Sequence, residues 1–470
     1  MKNNNKNIKQ SIYWNYTSSV IIHTIALLTS AILLKLLSPN DFGVLAILFL
    51  VLGLGSIFIG QGYVSAIIRE KIIDNTILST VFWINLGFGF TVVLLSYLLG
   101  SFLGEYFKID NLKNYLLLFS FAYLLQATNV VPLAMLERKL DFRQHSIIHI
   151  YATIIAAIVA IFLAINQYGV YSLIWRGLSA GIVVTILVWY KSGWKPSFIF
   201  RYNSLKNIHQ FSRGVLGTQI LRYGANQLDN LMVAKLLGTS DLGIYNRAKT
   251  FVLKPAREIN AKTRSVAYSA LSKLENQEEY RTTLFKFTLL LTMVIVPLLL
   301  IVLISSDTLI YTYLSSEWYP MINILKLLAI SSIVISTSMP SQIMLSKGAS
   351  FTLFKTEMIT NVIKISVLLF AFKFANLLSI VTLFLLGQVL SNLLQNIVAY
   401  RSVEGYKLMI WKYHILPIFV ALIVYGLAVL IDQYVTYSIF SMVYKLIICL
   451  SIYGYYAWKT YPEILKSIRN

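Results

Sequence analysis

Basic side chains in two consecutive predicted membrane helices are the residues of this sequence best suited to bind an anion. Twelve lysines and arginines lie inside predicted helices, and eight of these fall between residues 213 and 264. A charge at membrane depth is costly, so such residues usually face a water-filled cavity or a partner of opposite charge. The acidic residues Asp229 and Glu258 are few beside these cations. The excess of positive charge therefore indicates an anionic ligand.

On the first of these two helices the charged residues share a face. Arg222 and Asp229 are seven residues apart, and Asn226 lies close to the same face. The same spacing suits a buried ion pair between Arg222 and Asp229 that fastens the helix to a neighbour. The sequence thus allows both a binding role and a packing role for this pair.

On the second helix the charges form two adjacent stripes at the helical period. Arginine suits phosphate because its planar fork can donate two parallel hydrogen bonds. The last two cations of the helix can also snorkel to the cytoplasmic surface. The first stripe contains Arg247, Lys254, Glu258 and Lys262, and the second contains Arg257 and Arg264. The predicted substrate-binding residues are Arg176, Arg213, Arg222, Asn226, Asp229, Arg247, Lys254, Arg257 and Lys262.

The elements that must position these side chains are membrane helices. The chain has 470 residues, of which 57% are hydrophobic and 13% charged, whereas soluble domains carry about 25% charged residues. Apolar runs of about 20 residues can cross about 30 Å of hydrocarbon, and they predict an all-α integral membrane protein with about fourteen spans. The predicted spans are 12–37, 42–67, 76–103, 112–136, 146–166, 169–190, 208–237, 240–272, 284–304, 320–346, 351–373, 377–400, 411–431 and 439–458.

The loop charges give an orientation to these spans. With the N-terminus inside, the inside segments carry twenty-three lysines and arginines and the outside segments carry five. Cytoplasmic loops of membrane proteins collect such residues, so both termini are predicted to be cytoplasmic. The pattern persists along the chain only if the span at 240–272 crosses the membrane. The net charge of +21 is thereby explained without a nucleic-acid partner.

Nothing in the sequence predicts a metal site or a cofactor. A single cysteine, Cys449, excludes an intrachain disulfide and any cysteine-based metal site. His145 and His149 are four residues apart but lack the acidic residue that a zinc motif places between them. His23 can gain and lose a proton near neutral pH, which makes it either a coupling residue or a packing residue. Three isolated lysines are expected to snorkel or to pair locally: Lys326, Lys364 and Lys445.

One short sequence occurs twice at an offset of 200 residues. Residues 35–44 read KLLSPNDFGV and residues 235–244 read KLLGTSDLGI, with five identities. Gly43 and Gly243 are small enough to let two helices approach closely. Ser38-Pro39 is expected to stop one helix in the first copy and Gly238 in the second. The next helix is expected to be capped by Asn40 or Asp41 and by Ser240 or Asp241.

The repeat predicts two halves of the same orientation. A weaker echo joins Met135–Arg138 with Met344–Lys347, each with a proline shortly upstream. Both pairs are six spans apart, so two six-helix lobes are predicted, related by a pseudo-twofold axis along the membrane normal. Two further helices follow at the C-terminus. The predicted domains are residues 1–200 for helices 1–6, 201–405 for helices 7–12 and 406–470 for helices 13 and 14.

Several segments resemble one transporter family in order and spacing. They are SPNDFGVLAI, GLGSIFIGQGYVSAIIREKIIDNTILSTVFWINL, LERKLDFRQ, YGANQLDNLMVAKLLGTSDLGIYNRA and AYSALSKLENQEEYR. The chain resembles the polysaccharide flippases of the MATE-like MOP superfamily from about residue 10 to about residue 400. The Wzx-type exporters of O-antigen, colanic acid and teichuronic acid are the most similar branch.

The resemblance implies a function and its partners. Such flippases are thought to move undecaprenyl-pyrophosphate-linked oligosaccharide repeat units across the bacterial cytoplasmic membrane by alternating access, for surface polysaccharide biosynthesis. H⁺ or Na⁺ is the implied driving ion, membrane lipids surround the protein, and a polysaccharide polymerase of the same pathway is an implied partner. No enzyme chemistry is implied. For the glycan, amides and tyrosines near the cations are suitable: Tyr223, Asn226, Gln227, Tyr245 and Asn246.

Three other functions fit the sequence less well. A cation-coupled drug antiporter of the same fold predicts acidic residues in its cavity, and the first span has none. A polymerase or ligase needs a sizeable extracytoplasmic loop, but the longest outside connection here is SSDTLIYTYLSSEWY. A lipid II flippase is the nearest alternative in chemistry, and physical arguments from the sequence do not separate it from a polysaccharide exporter.

Overall fold

The computed structural model describes residues 2–60, 67, 74–138, 142–201, 206–371, 373–374, 376–403, 415–432 and 438–462. Side chains are described for these residues except 2–13, 15–16, 142, 206–218 and 221. Within this part of the chain every regular element is a helix and no strand occurs. The all-α prediction is confirmed.

Fifteen α-helices occur in the described residues. They are α1 (Lys2–Leu36), α2 (Pro39–Phe58), α3 (Asn75–Phe107), α4 (Leu112–Arg138), α5 (Phe142–Ile165), α6 (Val170–Ser192), α7 (Lys206–Leu237), α8 (Thr239–Leu271), α9 (Gln277–Tyr313), α10 (Met321–Ser336), α11 (Pro340–Ser346), α12 (Ser350–Ala371), α13 (Leu377–Tyr400), α14 (Leu416–Asp432) and α15 (Ile439–Thr460). A single 3-10 turn, Ser316–Trp318, precedes α10.

Each of the fourteen predicted spans contains a helix of the described residues, although many helix ends are shifted. Two spans differ more clearly. The predicted span 320–346 is two helices, because α10 ends at Ser336 and α11 begins at Pro340. A proline has no amide hydrogen and is favoured at the first position of a helix, so the chain restarts there. The span predicted over 42–67 ends at Phe58, and residues 61–66 lie outside the described part of the chain.

Ten stretches of the described residues are long and apolar enough to cross a membrane. They correspond to α1 to α6, α9, the α10–α11 pair, α13 and α15. Helices α7 and α8 are as long as their neighbours but are not among these ten. A long helix that is less apolar than its neighbours suits a position in which one of its faces lies against water or a polar ligand.

The chain divides into two compact units, Met1–Gly243 and Ile244–Asn470. The boundary falls in the first turns of α8, whereas the sequence places a domain boundary at residue 200. The predicted domains follow the repeated segments of the sequence, whereas the two units are separated by their compactness. The two-lobe organisation with its pseudo-twofold axis therefore stays a prediction.

The first unit is a layered bundle of α1 to α7. Helix α3 packs along α4, α4 along α6, α6 along α5 and α5 along α1. Helix α2 contacts α3, α4, α6 and α7. One end of the bundle is closed by an aromatic cluster, in which the indole of Trp194 packs on Phe82 and donates from Nε1 to Asn75 Oδ1 at 2.8 Å.

The second unit is built around α9 and α13. Helix α13 contacts α10, α11 and α12, and α9 contacts α10, α14 and α15. Lys326 Nζ lies 2.7 Å from Asp307 Oδ2, which joins α10 to α9. The prediction that Lys326 either snorkels or pairs locally is thus resolved in favour of a pair.

The two copies of the repeated sequence meet in the first unit. A Cβ built on Gly43 would overlap the carbonyl oxygen of Thr239, and one on Gly243 would overlap the carbonyl oxygen of Pro39. The Gly243 Cβ would also lie 2.9 Å from the amide nitrogen of Gly43. The predicted close approach is confirmed, and the repeated glycines pack against each other's turns. We call residues 38–43 and 238–243 the glycine joint.

The two turns of the glycine joint use different local devices. In the first, Ser38 caps α2, and the Asp41 carboxylate accepts hydrogen bonds from the Ser38 amide at 3.0 Å and hydroxyl at 2.8 Å. The cap is therefore Ser38, with Asp41 as its partner, where the sequence analysis names Asn40 or Asp41. In the second, Gly238 ends α7 with φ at 88°, as predicted. The Thr239 hydroxyl then donates to Asn40 Oδ1 across the joint.

Candidate functional site

Helix α8 exposes three cations on one side. Lys254, Arg257 and Lys262 are exposed, at spacings of three, five and eight residues. Lys254 and Arg257 are three residues apart, the spacing of neighbours on one helix face, and Lys262 lies about 80° further round the helix from Lys254. We call Lys254, Arg257 and Lys262 the α8 cation face.

The sequence explains why this face stays helical and open. Alanine, lysine and arginine are among the best helix formers, and Pro255 lies inside α8 without ending it. No ion pair of Lys254 or Arg257 is found within the described residues. Their charges are therefore available to a ligand, which fits the predicted role of both.

Other cations of α8 are held by groups of the second unit. Arg264 donates from Nη2 to the carbonyl oxygen of Ser338 at 2.7 Å. The Lys249 ammonium lies 4.8 Å from the centre of the Tyr245 ring. Arg247 is half-buried and donates from Nη2 to Asn246 Oδ1 at 3.4 Å. These contacts separate the cations that stabilise the helix from those that it exposes.

The predicted residues of α7 have mixed surroundings in the first unit. Arg222 and Asn226 are exposed, whereas Asp229 is buried. The Asp229 Oδ1 atom accepts a hydrogen bond from the Asn230 amide at 2.9 Å. On the face that these two residues are predicted to share, the end at Arg222 is therefore accessible and the end at Asp229 is covered by neighbouring residues.

Two tyrosines that the sequence assigns to the glycan have packing roles. The Tyr223 hydroxyl donates to the carbonyl oxygens of Phe49 and Leu50, at 2.8 and 3.0 Å. These bonds tie α7 to α2, and Gly53 leaves room for the ring. Tyr245 is only 1% exposed. Neither hydroxyl is positioned to meet a glycan, since one is used between helices and the other is enclosed.

Three further predicted residues belong to the first unit. Arg176 on α6 and His23 on α1 are half-buried in the first unit. The backbone of Arg213 belongs to α7, but its side chain lies outside the described part of the chain. Five of the nine predicted substrate-binding residues belong to the first unit and four to the second. The structure exposes Lys254, Arg257 and Lys262 on one helix within a single unit.

Two polar groups escaped the sequence analysis. At the break between α10 and α11, Asn392 and Asn396 of α13 donate to the Ser338 hydroxyl at 3.3 and 3.1 Å, opposite Arg264. The signal was the run of small polar residues before Pro340. In the first unit, His145 Nε2 lies 3.7 Å from Glu137 Oε1. The histidine pair thus has an acidic neighbour from α4 that its local sequence lacks.

A protein-family model describes most of this chain. The model for a polysaccharide biosynthesis protein matches residues 32–323. The succinoglycan biosynthesis transport protein ExoT of Rhizobium meliloti is 23% identical over 329 residues, 70% of this chain and 67% of its own. The lipopolysaccharide biosynthesis protein WzxC of Escherichia coli is 22% identical over 418 residues, 87% of this chain and 84% of its own. The teichuronic acid biosynthesis protein TuaB of Bacillus subtilis is 24% identical over 351 residues, which are 73% of this chain and 72% of its own.

Solved transporter structures share the fold. A lipid II flippase, MurJ, in an inward closed conformation superposes with a TM-score of 0.74 at 17% identity, covering 97% of this chain and 100% of that one. An inward-facing multidrug resistance transporter of the MATE family superposes with a TM-score of 0.58 at 14% identity, covering 82% of this chain and 95% of that one. The chain therefore shares the fold of these transporters, as the resemblance implies.

Proposed function

This chain belongs to the polysaccharide biosynthesis protein family, and from that premise we propose that it translocates a lipid-linked oligosaccharide across the bacterial cytoplasmic membrane. The substrate is a repeat unit joined through pyrophosphate to undecaprenol. The protein carries it from the cytoplasmic to the outer leaflet by alternating access and catalyses no bond change. Both termini lie in the cytoplasm.

The α8 cation face is the observation that carries this proposal. A pyrophosphate diester has two negative charges and several acceptor oxygens. Exposed Lys254, Arg257 and Lys262 offer donors to those oxygens on a helix that is not apolar enough to rank among the membrane spans. Charge attraction grows as water is excluded around the ligand. The glycan and the polyprenyl tail then follow the anchored pyrophosphate.

The functions named for the relatives support a polysaccharide substrate. ExoT is named for succinoglycan transport, WzxC for lipopolysaccharide biosynthesis and TuaB for teichuronic acid biosynthesis. All three products are polysaccharides. Lipid II is the alternative substrate. The similarity to the lipid II flippase MurJ shows the fold alone, because only 17% of residues are identical.

A cation-coupled drug antiporter is disfavoured by charge. Its substrate is a cation, which the α8 cation face would repel at every approach. Arg176, Arg213, Arg222 and Asn226 of the first unit stay predicted substrate contacts, whereas Asp229 is buried. We assign the coupling ion as H⁺ or Na⁺, with His23 as the proton-coupling residue, and a polysaccharide polymerase as the recipient of the product.

Deletion of the gene in its host tests the proposal. Undecaprenyl-pyrophosphate-linked oligosaccharide is quantified by mass spectrometry, and surface polysaccharide is blotted in parallel. We expect the lipid-linked repeat unit to accumulate and the surface polymer to disappear, with recovery when the wild-type gene is restored. Normal polymer without accumulation would refute export, and accumulation of lipid II would transfer the protein to the peptidoglycan pathway.

Restoration with variants then tests the site. Arg257→Ala removes one cation of the exposed face, and Lys286→Ala is the matched control because Lys286 is exposed on α9 of the same unit. We expect the Arg257 variant to reach the membrane at the wild-type amount but to leave lipid-linked oligosaccharide unexported. The Lys286 variant restores polymer. Equal export by both variants would remove the cation face from the mechanism.

A further inference from the structure

A polar cleft opens at one end of the first unit. Its volume is about 510 Å³, within the range of about 300–1,000 Å³ that small-molecule sites occupy. It is formed where three turns meet, between α1 and α2, α3 and α4, and α5 and α6. The charge distribution of the loops predicts all three turns to be outside the cell.

The lining combines aromatic rings with neutral and acidic hydrogen-bonding groups. Tyr115 and Tyr171 meet edge to face with ring centres 5.1 Å apart. We call this the tyrosine cleft. Its polar lining residues are Asn40, Asp41, Asp110, Asn111, Tyr115, Gln167, Tyr168 and Tyr171.

The charge of the lining excludes an anionic ligand. Within the described residues no lysine or arginine lines the tyrosine cleft, and two carboxylates do. A phosphate group would therefore be repelled. Neutral hydroxyl-rich molecules are the complementary class, because carboxylate and amide groups hydrogen-bond to hydroxyls and tyrosine faces pack against the C–H faces of a sugar ring.

Asp41 shows how one carboxylate serves both the fold and the cleft. Its Oδ2 atom accepts both hydrogen bonds from Ser38. Its Oδ1 atom lies over the backbone of Gly169, where a Cβ would come within 3.0 Å of it. No hydrogen bond to this Oδ1 is found in the described part of the chain, so one oxygen of a firmly held carboxylate remains for a ligand.

Two of the turns that form the cleft contain a residue in the left-handed conformation. Lys108 and Gln167 have φ values of 57° and 62°, and they are the non-glycine residues with positive φ among those described. Each follows the end of a helix, where glycine usually takes this conformation. Ile109 and Tyr168 then donate back to the carbonyls of Gly104 and Leu163, at 2.9 and 3.1 Å.

The strain at Gln167 is informative because this residue lines the cleft. A residue other than glycine in the left-handed conformation costs about 1 kcal/mol, and strained positions of this kind concentrate at functional sites. Glycine at 167 would relieve the strain but would remove an amide from the cleft. Gln167 thus supplies an amide to the cleft at the expense of backbone strain.

From these observations we propose that the tyrosine cleft binds a sugar residue of the translocated glycan on the outer side of the membrane. This inference rests on the proposed function, since it assigns a second contact to the same substrate. The cation face holds the pyrophosphate, and the cleft receives hydroxyls and ring faces of the oligosaccharide as it emerges. Binding there favours the outward-delivered glycan over its return.

The test uses the full chain, purified in lipid nanodiscs. The probe is oligosaccharide of one to three repeat units, prepared by mild-acid hydrolysis of the host's own surface polysaccharide. Saturation-transfer NMR detects the contact, and titration gives its Kd. We expect saturable binding by the wild type. Absence of binding would overturn the inference.

Three variants locate the contact. Asp110→Asn and Tyr171→Ala remove groups of the lining, and Glu105→Gln is the matched control because Glu105 is exposed on α3 outside the cleft. Gln167→Gly is the most discriminating change, because it relieves backbone strain while it removes a ligand. We expect it to raise or keep the Tm and to weaken binding about three- to tenfold. Unchanged Kd values in all cleft variants would overturn the assignment.

Two further outcomes separate this inference from the proposed function. Calcium binding that is lost in Asp110→Asn, without oligosaccharide binding, would assign the carboxylates to a metal and overturn the sugar site. If the deletion strain accumulates lipid-linked oligosaccharide but the purified chain binds none, export stands and the cleft assignment fails. If the chain binds oligosaccharide through the cleft but deletion of its gene causes no accumulation, the cleft stands as a glycan-binding site, while export fails and the bound sugar is not part of a translocated substrate.

Discussion

The glycine joint and the α8 cation face differ in what fixes their residues. At the joint, backbone atoms of two turns touch, and neither Gly43 nor Gly243 has space for a methyl group. At the cation face, long side chains extend from one helix, and Lys254 and Arg257 are exposed. A residue type is dictated by packing in the first region and by charge in the second.

The two regions should therefore affect different measurements, the amount of folded protein and the export activity. Changes at the joint should alter how much folded protein is present, because no rearrangement of side chains can make room there. Changes at the cation face should leave the amount of protein unchanged and alter export. Four variants test the contrast, in order of decreasing expected effect.

Gly43→Ala should have the largest effect. The added methyl group would overlap the Thr239 carbonyl oxygen, and overlap with backbone cannot be relieved by a rotamer change. We expect a loss of about 4 kcal/mol or more, seen as loss of the monodisperse peak in fluorescence-detected size-exclusion chromatography. Gly224→Ala in α7 is the control, since a Cβ there meets nothing within 4 Å. A normal peak for Gly43→Ala would contradict the observed joint.

Charge reversal at Lys254 and Arg257 should abolish export without loss of protein. Two glutamates on an exposed helix face repel the pyrophosphate, while the helix keeps good helix formers. We expect export to fall about 100-fold, measured as lipid-linked oligosaccharide retained in the deletion strain. Normal membrane abundance is the internal control. A parallel loss of protein would place these cations in packing and erase the contrast with the joint.

Arg264→Ala should behave like a joint variant although it lies on α8. Its guanidinium donates to the Ser338 carbonyl at the break between α10 and α11, and its loss leaves a polar group unpaired. We expect destabilisation by about 2 kcal/mol, detected as a lower Tm in a thermal-shift assay. Arg264→Lys should recover part of it. Unaltered Tm with lost export would move Arg264 into the ligand site.

Ser38→Ala should give the smallest change. It removes the cap of α2 and one donor to Asp41, which typically costs about 1 kcal/mol. The glycine contact itself is untouched, so folded protein should persist with a slightly lower Tm. Ser19→Ala serves as a comparison on α1, since Ser19 is half-buried within a helix. A collapse as severe as that of Gly43→Ala would show that the cap, and not the close approach, holds the joint.

Much of the fold follows from the sequence because membrane helices are long and periodic. Helix α13 begins at Leu377 and ends at Tyr400, as the apolar run predicts. The break before Pro340 was missed, because hydropathy averages over the small polar residues at 337 and 338. The meeting of Gly43 with Gly243 was foreseen only as a capacity for close approach, since a repeat does not say which surfaces touch.

The site is less predictable, because helical spacing gives a face but not its surroundings. Spacing placed Arg257 and Arg264 on one stripe, yet one is exposed and the other is bound to a carbonyl. Tyr223 is a polar residue beside the predicted cations, but its hydroxyl ties α7 to α2. The tyrosine cleft is formed by three turns that are distant in sequence, so no single sequence motif predicts it.

The single-residue link at Gly238 between α7 and α8 has a consequence for membrane insertion. Neither helix is among the ten apolar stretches, so neither is recognised efficiently by hydrophobicity alone during synthesis. Because one glycine joins them, they must enter the bilayer together as a hairpin. In the folded unit α2 contacts α7, and Gly43 contacts the turn between α7 and α8, so we expect insertion of this hairpin to depend on α2.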